Sequence, residues 1–124
     1  MGLINGLMGN ASVVNKEELI EEFKPILTDE ESIEAAFKLI RDLIIFTNMR
    51  LILVDKQGIT GRKKEYRSIP YKSIHEFSVE NSGSFDDDSE LTIYTNIFKD
   101  GKKIEFKRGS AIVDVQKILA KFVL

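Results

Sequence analysis

The stretch that most constrains the fold is residues 41–78, RDLIIFTNMRLILVDKQGITGRKKEYRSIPYKSIHEFS. It predicts four consecutive β-strands joined by short turns, the centre of a small β-barrel. Residues 43–47 and 51–54 are apolar runs too short for a typical helix and bounded by turn signals. Asn48 and Met49 between them mark a hairpin tip. A strand with one wet face alternates, and these barely do: Ile44 and Phe46 fall on one face, Leu43 and Ile45 on the other. Both faces are therefore expected to be covered, one by a barrel core and the other by an N-terminal helix or a neighbouring subunit. Asp55-Lys56-Gln57-Gly58 predicts the next turn, with Gly58 able to take positive φ. Residues 59–68 then alternate, Lys63, Glu65 and Arg67 on one face and Lys64, Tyr66 and Ser68 on the other, with Tyr66 the expected inward anchor. Pro70 has no N–H for a central ladder and breaks the run. Residues 73–80 resume it, with Phe77 and Val79 on one face.

Around this centre the chain reads as follows. Residues 1–14 open with GLINGLMGNAS, placing Leu3, Ile4, Leu7 and Met8 on one helical face, although three glycines weaken the helix. That face needs cover from the barrel or a sister subunit. A membrane-surface anchor fits less well, because no Lys or Arg precedes Lys16. Residues 15–23 form a better helix, with Asn15 as N-cap, Glu18 as its capping-box partner and Leu19, Ile20 and Phe23 as the buried stripe; Pro25 ends it. Residues 28–40 are ambiguous: Thr28 with Glu31 suits a helix cap, whereas a strand aligns Ile33, Ala35, Phe37 and Leu39 on one face. Residues 81–88 are a loop. Leu91, Ile93 and Thr95 alternate in a sixth strand, and Ile104 and Phe106 give a seventh its inner face. Ser110 caps a last amphipathic helix whose apolar face is Ile112, Val115, Ile118, Leu119 and Phe122, made to close a barrel end.

The ordered pattern R-D-x-x-x-F-T-N-x-R-L-I-L-x-D-x-Q-G-x-T-G-x-K-x-E-Y-x-S-I-P-Y-x-S-I, from Arg41 to Ile74, resembles the bacterial pleckstrin-homology-like domain family. Gly83 to Asp86, Glu90-Leu91 and the last helix fit it too, so the resemblance covers roughly residues 28 to 122. It implies a mainly β fold: a seven-stranded, strongly bent antiparallel barrel, or orthogonal sandwich, capped by a C-terminal helix. It favours a strand for residues 28–40. Residues 1–27 then form a short helical extension and 28–124 the PH-like domain, one structural unit. Several family members assemble into ring-like oligomers.

Composition narrows the function. With 124 residues the chain suffices for one domain with a sizeable core. A formal net charge of −2 argues against nucleic acid as a partner. The absence of cysteine excludes disulfides and thiolate chemistry and suits a reducing cytoplasm. No apolar run approaches the roughly 18 residues that span a bilayer.

No residue pattern argues for a reaction or a cofactor. His75 is the single histidine and without cysteine builds no ordinary zinc site. Asp86, Asp87, Asp88 and Glu90 are a dense acidic cluster that does not match an EF-hand loop, so a solvated loop is expected. Lys56, Arg62, Lys63, Lys64 and Arg67 are a basic cluster with the chemistry to hold an anion or acidic partner, but alternation splits it and a solvated or interface strand with Glu65 as local counter-charge is the expectation. Eukaryotic PH domains that bind phosphoinositides use basic residues around the loop joining the first two strands; here that connection is only about Arg41-Asp42. The expectation is a non-enzymatic binding or assembly module in the cytoplasm, homo-oligomeric, contacting protein rather than nucleic acid. Its expected oligomer interface is Leu3, Ile4, Leu7, Met8, Ile44, Phe46 and Ile52. The alternative is a peripheral membrane or anionic-ligand binder using the basic hairpin and apolar N-terminus.

Overall fold

The computed structural model describes residues 16–39, 42–83, 88–108 and 112–124. Among them, seven strands run in chain order: β1 (Ile33–Lys38), β2 (Leu43–Thr47), β3 (Arg50–Gln57), β4 (Lys63–Pro70), β5 (Ile74–Asn81), β6 (Ser89–Thr95) and β7 (Lys102–Phe106). Helix α1 (Lys16–Phe23) and a 3-10 turn (Lys24–Ile26) precede them. A second 3-10 turn (Tyr71–Ser73) separates β4 from β5, and helix α2 (Ile112–Val123) follows β7. The strands form two antiparallel sheets, ordered β1-β2-β3-β4 and β5-β6-β7. This is the predicted mainly β architecture. β4 is an edge strand, which is where the sheet tolerates Pro70 and a run of charged side chains.

Every residue of β2 is buried, because two separate clusters use its two faces. Ile44 and Phe46 join Phe37, Leu51, Leu91, Ile93 and Phe106 between the sheets. Helix α2 seals that core with Ile112, Val115, Ile118 and Leu119, and Phe122 stacks flat on Tyr71 at 4.6 Å. Ile45 instead packs outward with Leu43, Ile52 and Val54 beneath Leu19 and Phe23 of α1. The cover predicted for the second face is thus the chain's own helix. Each fully buried aliphatic or aromatic side chain contributes on the order of 1.5–3 kcal/mol of transfer free energy. That gain holds an eight-residue helix that is too short to persist alone.

Four local readings change. Ile33 does not share a face with Ala35 and Phe37. The register shifts from Ile33↔Thr47 to Ala35↔Phe46, so the bulge at Glu34 turns Ile33 outward to the α1 cluster. β3 continues through Gln57, so the turn lies at residues 58–62, with Gly58 (φ 76°) and Gly61 (φ 69°) both left-handed. Tyr66 is no inward anchor: it lies opposite Val54 on the outer face and meets Phe23 edge-on at 5.8 Å. Ile20 is exposed rather than part of the buried stripe of α1. Asn15 and Ser110, the expected caps, lie outside the described residues.

Candidate binding surfaces

The β2–β3 tip is a polar hub. No non-glycine residue among those described has positive φ, so this tip is not a tight type I′ turn. The Thr47 hydroxyl holds it instead, accepting from the backbone N–H of Met49 (3.0 Å) and Arg50 (2.9 Å). The same hydroxyl donates to Glu31 Oε2 at 2.6 Å. Arg50 grips Glu31 bidentately, Nε at 2.8 Å and Nη2 at 2.9 Å, and also reaches the Ile26 carbonyl and the Ser68 hydroxyl. Asn48 accepts from Ser32 N–H and donates to the Glu30 carbonyl, and the Tyr71 hydroxyl donates to the Thr47 carbonyl at 2.7 Å.

The Glu31 side chain is 1% exposed. Burial alone pushes its carboxyl up, but the bonds from Arg50, Thr47 and the Thr28 N–H outweigh it and hold the carboxyl below the ordinary glutamate range. Burial likewise pushes the Tyr71 phenol well above its ordinary value, helped by the charges of Glu34 and Glu31. The hub ties the segment after α1 to the first sheet. The sequence reading missed it: the Thr28–Glu31 pattern forms only half a capping box, with Thr28 N–H donating to Glu31 Oε1, and no helix follows.

The expected oligomer interface needs correction. Ile44 and Phe46 are wholly buried in the core, and Ile52 is wholly buried beneath α1, so one chain already covers all three. Leu3, Ile4, Leu7 and Met8 lie outside the described residues. The basic cluster is split by strand alternation. Lys56 and Lys64 sit opposite one another, and Lys64 reaches Glu22 of α1 at 3.4 Å. Arg67 pairs with Glu65 at 3.2 Å and lies over the Phe98 ring at 5.0 Å. Arg62 and Lys63 stand at the β3–β4 tip, next to Ile59, which is fully exposed at 106%. His75 is exposed at a register shift in β5 and contacts Asn96 at 2.8 Å. Asp86 and Asp87 lie outside the described residues, and Asp88 accepts from the Arg108 N–H. Among the described residues no group of three or more His, Cys, Asp or Glu is placed to hold a metal.

Two adjoining clefts stand out. One, of about 610 Å³, has an apolar floor that includes Leu43, Leu53 and Ile104, with Asp42, Asp55, Glu90 and Glu105 among its polar lining. The other, of about 480 Å³, shares Glu90 and Glu105 and adds Glu80, Asp88 and Ser89. Register explains the acidity: Glu80 lies opposite Glu90, and Glu90 opposite Glu105, across the whole second sheet. Asp55 faces Glu65 in the same way on the first. Like charges directly opposite destabilise a sheet, by tenths of a kcal/mol up to about 1. The Ser89 hydroxyl is buried without a hydrogen-bond partner among the described residues.

Two antiparallel sheets of four and three strands, with a C-terminal helix sealing the core between them, define a PH-like domain. The chain belongs to the bacterial PH domain family, whose sequence model matches residues 2–123. It is 54% identical over 125 residues to the uncharacterized protein YjqA of Bacillus subtilis (strain 168), covering 97% of each chain. To the uncharacterized YozO of the same organism it is 32% identical over 108 residues, covering 87% of this chain and 92% of that one. Among solved structures, a pleckstrin homology domain from Shewanella amazonensis SB2B is 48% identical with a TM-score of 0.82, covering 97% of each chain. A DUF1696 family protein with a pleckstrin-homology domain from Shewanella loihica PV-4 is also 48% identical, with a TM-score of 0.79 over 90% of this chain and 95% of that one.

Proposed function

We propose that the chain is a non-enzymatic binding and assembly module of the cytoplasm that forms a homo-oligomer and mediates protein–protein interaction. The observation that carries this reading is where its apolar side chains lie. The interior is filled by Phe37, Phe46, Phe106, Leu91 and Ile93, so binding falls to the outside. There Ile20, Ile26, Met49 and Tyr66 are exposed around α1 and the segment after it, and Ile59 and Ile97 at hairpin tips. Exposed apolar groups rimmed by charge suit a protein interface. The test is the solution mass of the intact chain by size exclusion with light scattering, beside a variant lacking residues 1–12. A defined oligomer at micromolar concentration is expected; a monomer overturns the reading.

A second reading has one observation in its favour. Ile59 projects from a tip flanked by Arg62 and Lys63, an arrangement that suits an anionic membrane surface. No described helix is long and apolar enough to cross a membrane, so such contact is peripheral. It predicts salt-sensitive cosedimentation with anionic vesicles, and indifference to lipid charge rejects it.

A further inference from the structure

We propose that the β3–β4 tip of one copy of this chain seats in the acid-lined cleft beside β7 of a second copy. The proposal rests on the assembly reading above and supplies its contact.

The cleft asks for a cation on an apolar stem. Its floor is apolar, through Leu43, Leu53 and Ile104, and Asp42, Asp55 and Glu105 line it. Among the described residues, six carboxylates (Asp42, Asp55, Glu80, Asp88, Glu90, Glu105) meet three lysines (Lys102, Lys103, Lys107) across the two adjoining clefts, an excess of three negative charges. The ladder sets Glu80, Glu90 and Glu105 side by side, which the fold tolerates at a cost and a bound cation offsets. Ser89, 7% exposed, lines the same region.

The tip is the matching shape. Left-handed Gly58 and Gly61 fix the turn, and between them Ile59 stands fully in solvent. Lys64 and Arg67 are engaged by Glu22 and Glu65, and Lys56 stands further down β3 opposite Lys64, so Arg62 and Lys63 are the cations nearest Ile59 at the tip. Isoleucine suits the floor, and the two cations suit the carboxylates.

A chain's own tip does not fill its own cleft. β3 passes the cleft at Val54 and Asp55 and continues through Gln57 before the turn, so the tip extends roughly 10 Å beyond, at about 3.3 Å per residue. The carboxylates near that end also discriminate between partners. They repel an anionic surface and attract Arg62 and Lys63 of a second copy's tip. Every copy carries both tip and cleft, so the contacts close as a two-fold pair or run head to tail around a ring.

The test is a charge swap on the full chain, read by sedimentation velocity at low and high salt, with far-UV circular dichroism to confirm folding. R62E/K63E and E90K/E105K are each expected to weaken association by roughly tenfold or more, as loss of close interfacial charge pairs does. Their equimolar mixture, and one chain carrying all four changes, are expected to regain it. Ile59→Ser is expected to weaken association while keeping its salt dependence. If both charge variants associate as tightly as the unchanged chain, this contact is wrong while the assembly reading stands. A strictly monomeric unchanged chain overturns both. If that monomer binds anionic vesicles and R62E/K63E abolishes the binding, the tip serves a membrane and the proposal is again overturned.

Discussion

Replacing Arg50 by alanine strands a carboxylate. Glu31 keeps its bonds from Thr47 and the Thr28 N–H but loses the bidentate guanidinium. The Ile26 carbonyl and Ser68 hydroxyl lose a donor as well. Breaking a buried ion pair from one side costs about 3–5 kcal/mol. The Arg50 side chain is 24% exposed, so water partly replaces it and the lower end, about 3 kcal/mol, is the figure to expect. For a domain of this size that lowers Tm by roughly 9–15 °C.

The loss should depend on pH in one direction. The folded pKa of Glu31 lies below its ordinary value of 4.5, so the carboxylate's contribution is fully present above about pH 4.5 and is lost as pH falls through the lower folded value. The gap between the unchanged chain and Arg50→Ala is therefore widest near neutrality and narrows in acid, where a protonated Glu31 is cheaper to bury. Adding Glu31→Gln to Arg50→Ala should recover part of the loss, because the orphan charge is gone. The chain has no tryptophan, so urea melts followed by far-UV circular dichroism from pH 7 down to about pH 3 are the assay. A loss under about 1 kcal/mol at pH 7, or a gap that does not narrow in acid, refutes the account of Glu31 as a charge held by Arg50.

Three further outcomes are expected. Gly101→Ala should cost on the order of 2 kcal/mol in a urea melt, since residue 101 has φ +94° and an added Cβ collides with Thr92 Cγ2 and meets the Tyr94 ring at 3.0 Å. Phe23→Ala removes the deepest anchor of α1, 0% exposed, and should cost about 3 kcal/mol and raise amide hydrogen exchange in α1 far more than in β5–β6. Tyr71→Phe keeps the stack on Phe122 but drops the bond to the Thr47 carbonyl, for about 1 kcal/mol at pH 7. The raised folded pKa of Tyr71 makes the unchanged chain lose stability as pH rises above the ordinary value of 10.0, a loss that Tyr71→Phe should blunt in alkaline melts.

What the residues reveal in order differs from what they reveal across distance. The non-alternating run at Leu43–Thr47 correctly demands two covers, because burial on both faces is a local pattern. Who supplies the second cover is not local, and the chain's own α1 displaces the neighbouring subunit as the answer for Ile52. Ile33 misleads because a bulge shifts parity without changing composition. Tyr66 misleads because an aromatic in an alternating strand looks the same whether a core or a helix receives it. The Glu31–Arg50 bond joins residues 19 apart, and polar partners at that separation leave no periodic trace. The glutamate row is similar: it exists only once register sets Glu80, Glu90 and Glu105 abreast.

The placement of α1 has a consequence for how the chain is born. Phe23 leaves the ribosome before the aliphatic cluster it docks on, which is complete only when Val54 has been made, 31 residues later. At about 5–20 residues per second that interval is roughly 2–6 s. During it the helix has no partner in its own chain, and isolated helices this short do not hold. Leu19 and Phe23 therefore spend those seconds unstructured and exposed. The β2–β3 hairpin, whose ends are close in sequence, forms in microseconds once it emerges and ends that exposure.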